Sequence, residues 1–78
     1  AMSNIYMIGD LARHTQFSID TLNYYLRIGL IEEVGRSERS NYRYFDDSTL
    51  EDLSKIADLR LKKVPIKEIM RRRENGVL

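Results

Sequence analysis

Ile8-Gly9-Asp10-Leu11-Ala12-Arg13-His14-Thr15-Gln16-Phe17-Ser18-Ile19-Asp20-Thr21-Leu22-Asn23-Tyr24-Tyr25-Leu26-Arg27-Ile28-Gly29-Leu30 is the stretch that decides how this chain folds. Ile8, Leu11, Ala12 and Thr15 recur at the spacing of one helix face, which predicts a short first helix over about 8–14. Ser18 is a good N-cap, and Asp20 sits in the following turn, where its charge complements the helix dipole. Ile19, Leu22, Tyr25, Leu26 and Leu30 mark the buried side of a second helix, which Gly29 stops by taking a left-handed conformation. Two helices joined by Thr15-Gln16-Phe17 make a helix-turn-helix. His14 is expected to cap the first helix, whose carboxyl end favours a cation.

Beyond Leu30 the period changes. Ile31 to Arg36 and Tyr42 to Phe45 read as short strands around the polar turn Ser37-Glu38-Arg39-Ser40-Asn41, so 31–45 is expected to be a two-stranded wing. Asn41 tolerates positive φ better than most residues. Asp46 or Asp47 then caps a third helix over about 48–62, with Leu50, Leu53, Ile56, Ala57 and Leu61 inward. Lys62-Lys63-Val64 breaks it. Pro65 is expected at the first position of a fourth helix over about 65–74, with Ile66, Ile69 and Met70 facing the core and Asn75-Gly76 ending it. The expected fold is mainly α with a small β wing, a winged helix-turn-helix of about four helices in one domain. Within it the helix-turn-helix occupies 8–30 and the two further helices 47–75.

Composition bounds the function. The chain has 78 residues, no cysteine and one histidine, which removes disulfides, thiolate metal sites and cysteine nucleophiles. No paired acid–base set or phosphate loop is visible, so neither an enzyme nor a bound cofactor or metal is expected. No apolar run approaches the roughly 20 residues of a membrane span and no secretory signal opens the chain, so a cytoplasmic protein is expected. Ala1-Met2-Ser3 reads as a cleavage scar followed by a start. The net charge is only +1, yet Arg36, Arg39 and Arg43 cluster on the wing, and seven cations from Arg60 to Arg73 crowd the last part of the chain. Acids concentrate instead between Asp46 and Asp58. Such segregation gives a near-neutral protein one basic face, the footprint of a polyanion binder; a merely solvated helix face is the plainer reading of the same runs.

The opening from Ile8 to Thr15, then Phe17-Ser18, Thr21-Leu22-Asn23-Tyr24-Tyr25 and Ile28-Gly29-Leu30-Ile31, closely resembles the amino-terminal domain of MerR-type transcription regulators. Asn41-Tyr42-Arg43-Tyr44-Phe45-Asp46 is similar to that family's wing end, and Pro65-Ile66-Lys67-Glu68-Ile69 to the start of its last helix. The matches stand in order over nearly the whole chain. The resemblance implies a sequence-specific reader of double-stranded DNA, with the second helix in the major groove. Ser18 begins that helix, and Thr21, Asn23 and Tyr24 fall at positions that meet DNA, with Arg27 a further candidate for guanine or phosphate. Arg43 matches the family's wing arginine; Arg36, Arg39, Tyr42, Lys62 and Lys63 are supporting phosphate candidates.

The chain also departs from the family pattern. Asn23 replaces an arginine, Leu26 a glutamate, and Gln16 and Asn41 glycines. If position 16 needs positive φ, Gln16 is strained. These departures bear on which operator is read. The resemblance also implies a homodimer, formed only through a carboxyl-terminal helix that this chain lacks, so the chain alone is expected to be monomeric. An excisionase-like architectural protein that bends DNA, and a protein-interaction module on the same fold, are the alternatives; the wing arginines speak against the second.

Overall fold

A computed structural model describes residues 4–78, so the reading of 1–3 as a scar lies outside the described residues. The helices are α1 (Ile8–His14), α2 (Ile19–Ile28), α3 (Asp47–Leu61) and α4 (Ile66–Glu74), with β1 (Gly35–Arg36) and β2 (Arg43–Tyr44) between α2 and α3. Each start has a local cause. The Asp10 carboxylate accepts the Met7 N–H at 2.8 Å, the Ser18 hydroxyl accepts from Thr21 N–H at 3.1 Å, and the Asp46 carboxylate accepts from Ser48 N–H at 3.0 Å. The Ser18 and Asp46 bonds satisfy first-turn amides that have no partner within the helix, and the Asp10 bond ties down the amide of the N-cap residue Met7. Gly29 ends α2 at φ 80°, and the Leu30 N–H turns back to the Tyr25 carbonyl at 2.9 Å.

Leu11, Leu22, Tyr25, Leu30, Ile31, Phe45, Leu53, Ile56 and Ile69 form one core, to which every helix contributes. Phe17 meets Tyr25 edge to face at 5.3 Å, which wedges the α1–α2 turn against α2. Tyr6 and Phe45 exchange backbone hydrogen bonds of 2.8 and 2.7 Å, tying the segment before α1 to the end of the wing. That pairing was not expected.

Several expectations are corrected. Ile19 is 46% exposed and Leu61 74% exposed: each is the terminal residue of its helix, where periodicity alone does not bury a side chain. Pro65 is the N-cap of α4 at ψ 149° and not its first helical residue, because Ile69 N–H bonds its carbonyl at 3.1 Å while its own backbone stays extended. The strands are shorter than 31–36 and 42–45, since Leu30 and Ile31 are spent on the α2 cap and Phe45 pairs with Tyr6. Positive φ outside glycine occurs, among the described residues, at Asn41 and Lys63, so Gln16 carries no strain of that kind. His14 lies in the last turn of α1, edge-on to Tyr6 at 5.4 Å, and the Leu11 carbonyl accepts from the Thr15 hydroxyl at 2.7 Å.

Candidate nucleic-acid interface

Helix α2 divides cleanly between its faces. Leu22 and Tyr25 are buried, while Asp20, Asn23, Tyr24 and Arg27 are exposed. The Arg27 guanidinium lies over the Tyr24 ring at 5.6 Å, a cation–π contact that holds a planar donor group at the outer surface. Ser18 and Thr21 are engaged with each other, hydroxyl to hydroxyl at 3.0 Å, so both serve the start of the helix.

The wing turn is closed by hydrogen bonds from Ser37 N–H to the Tyr42 carbonyl and from Asn41 N–H to the Ser37 carbonyl, both 2.9 Å, with a hydroxyl contact between Ser37 and Ser40. Asn41 sits at φ 57°, as its identity predicted. Arg39 lies exposed in this turn, and Tyr42 is 66% exposed. Gly35 faces Tyr44 and Arg36 faces Arg43 across the ladder. Tyr44 lies over Gly35 and is half-buried, and Phe45 is buried, so both support the wing from within.

Arg36 and Arg43 are not free cations. The Glu33 carboxylate accepts from Arg36 Nε at 2.7 Å and from Arg43 Nε at 2.8 Å. These bonds, the Arg36 one foremost, hold the Glu33 carboxyl below the ordinary glutamate range. Sequence reading missed Glu33. Its only local signal is the i, i+3 spacing to Arg36; the Arg43 contact spans ten residues and depends on strand register.

Asn23 of α2 and Arg43 of β2 both line two clefts. One, of about 740 Å³, is shared with Leu26, Arg27 and Glu33. The other, of about 520 Å³, is shared with Met7, Ile8, Asn41 and Tyr42. The structure thus brings Asn23, Arg27, Tyr42 and Arg43 to one surface. Lys62 and Lys63 line neither cleft; they are exposed at the α3–α4 turn, where Lys63 adopts φ 63°. The α4 cations are less open than their number suggests: Arg71 and Arg72 both pair with Glu68, at 2.6 and 3.0 Å.

The profile of the MerR HTH family regulatory proteins matches residues 6–75. The chain belongs to the MerR family. Among curated relatives, this MerR-family chain is 38% identical over 71 residues to the transcriptional regulator BrlR of Pseudomonas aeruginosa, covering 91% of the chain and 26% of BrlR. It is 33% identical over 70 residues to the HTH-type transcriptional regulator CueR of Bacillus subtilis, covering 90% of the chain and 48% of CueR. The chain therefore spans about half or less of these relatives. Among solved structures it superposes on HiNmlR, a MerR family regulator lacking the sensor domain and crystallised bound to promoter DNA. The TM-score is 0.84 at 31% identity, over 95% of this chain and 55% of that one. The four helices and two-stranded antiparallel wing are the MerR winged helix-turn-helix. Among the described residues no helix is long and apolar enough to cross a membrane.

Proposed function

We propose that this chain is the operator-reading domain of a MerR-type transcription regulator, binding double-stranded DNA sequence-specifically and without catalysis. The observation that carries this reading is the placement of Asn23 on α2 beside Arg43 on the wing, at the junction of two clefts. A helix with exposed polar residues enters a major groove, while a neighbouring cationic hairpin follows the backbone. In that pose Asn23 offers an amide that matches an adenine edge, and Tyr24 and Arg27 stand one turn along or beside it as a stacked pair. Arg43, Arg36, Arg39 and Tyr42 address phosphates from the wing, and Lys62 and Lys63 address them from the α3–α4 turn. Ser18 and Thr21 set the start of the reading helix and bring its first-turn amides towards the backbone. The relatives' own regulatory roles and the solved promoter complex support the regulator over a DNA-bending excisionase. Two copies related by a two-fold axis would address two half-sites separated by a whole number of helical turns.

Fluorescence anisotropy with a labelled duplex tests the reading. Affinity should fall steeply with salt, and Arg43→Ala should weaken binding to all sequences alike and reduce the salt slope by about one. An unchanged slope and affinity in Arg43→Ala would remove the wing from the interface.

A further inference from the structure

Glu33 stands just before β1, outside the residues nominated for DNA. Its carboxylate meets Arg36 through Nε at 2.7 Å and Nη2 at 3.5 Å, and Arg43 through Nε at 2.8 Å. Arg36 and Arg43 are direct cross-strand partners on a ladder only two residues long. Like charges so placed repel each other and would splay a short hairpin. A single carboxylate bonded to both offsets that repulsion and halves the charge the pair presents. Glu33 engages Arg43 along the Nε edge, which leaves the Nη hydrogens for a phosphate. A phosphate bound there sits close to the Glu33 carboxylate, and its attraction is reduced accordingly.

We propose that Glu33 is a positioning residue that sets DNA specificity: it holds Arg36 and Arg43 side by side and cancels one of their two charges, so that the wing tracks the DNA backbone without gripping arbitrary sequence. This rests on the DNA-reading function proposed above. Phosphate neutralisation supplies sequence-independent affinity, so a wing at full charge raises binding everywhere and lowers the ratio of specific to non-specific binding. A carboxylate buffer on the wing leaves discrimination to α2. The cost is weaker overall binding.

Glu33→Gln keeps the shape and removes the charge. Glu51→Gln is the control: it changes net charge equally, yet Glu51 is exposed on α3 and lines neither of the two clefts. The assay is anisotropy on a duplex of arbitrary sequence, and on one selected by the wild type, between about 20 and 200 mM salt. One further cation neutralising a phosphate adds about 0.9 to the log–log salt slope, which is about eightfold in affinity at 0.1 M relative to 1 M. Glu33→Gln should bind the arbitrary duplex about eightfold tighter with the steeper slope, and its preference for the selected duplex should fall. Glu51→Gln should change affinity less than about twofold, since a screened charge outside the clefts contributes little. Equal affinity in Glu33→Gln and wild type, weaker binding by Glu33→Gln, or an equal gain in Glu51→Gln each overturns the inference while leaving DNA reading intact. If none of the three proteins binds duplex at the lowest salt, DNA reading itself is overturned, and the role of Glu33 with it.

Discussion

An alanine at position 35 would place its Cβ 2.7 Å from Cζ and 3.0 Å from Cε2 of Tyr44, and against the phenol oxygen. Glycine is required here by close approach, because the phenol end of the cross-strand tyrosine occupies the position where a side chain would start. The Tyr44 ring is half-buried and aromatic, so it cannot absorb the overlap by a small bend; it must swing outward or push β1 from β2. Overpacking of this kind costs about 1–3 kcal/mol. Replacing a strand glycine by alanine returns about 0.5–1 kcal/mol. The net expectation for Gly35→Ala is a loss of about 1–2 kcal/mol, and in a domain of this size each kcal/mol lowers Tm by about 4–8 °C. Removing the ring in Tyr44→Val should abolish the clash, so a double-mutant cycle in thermal denaturation should show coupling of about 1 kcal/mol or more between the sites. Arg43 adjoins Tyr44, so Gly35→Ala should also weaken DNA binding without touching a phosphate contact. A wild-type Tm in Gly35→Ala, or the same loss in the Tyr44→Val background, would refute the packing argument.

Ser18→Ala removes the hydroxyl that accepts from Thr21 N–H, and should cost about 1 kcal/mol of stability in denaturant titration. Ser18→Asp should retain the cap. Glu68, held at about 2 by Arg71 and then Arg72 against an ordinary 4.5, contributes stability that is present above pH 4.5 and lost as pH falls towards 2. Urea denaturation between those limits should show Glu68→Gln losing less stability on acidification than the wild type.

Much of the architecture was legible because it is locally encoded. Ser18, Gly29, Asn41 and Asp46 each fix their own backbone, and each does in the structure what its identity predicts. The inward positions Leu22, Tyr25, Leu53 and Ile56 follow helical period in the middles of helices, where partners lie on both sides along the axis. Ile19 and Leu61 have the same period but stand at helix ends, and both are exposed. The Tyr6–Phe45 pairing joins segments far apart in the chain, and Asn4-Ile5-Tyr6 is too short to announce a strand. The candidate site divides in the same way. The outer face of α2 can be read from a helical wheel, whereas the clefts that Asn23 and Arg43 share, and the pairing of Glu33 with both wing arginines, depend on how the hairpin docks.

The central claim is that α2 reads base edges through Asn23 while the wing holds the backbone. Selection from a randomised duplex pool, run in parallel with wild type and Asn23→Ala, tests it most directly. The wild type should enrich a defined motif. Asn23→Ala should lose preference at one base pair of each half-site, worth about 1–3 kcal/mol, while keeping the wild-type affinity for arbitrary DNA. The same enriched motif from both proteins, or no enrichment by the wild type, would contradict the account.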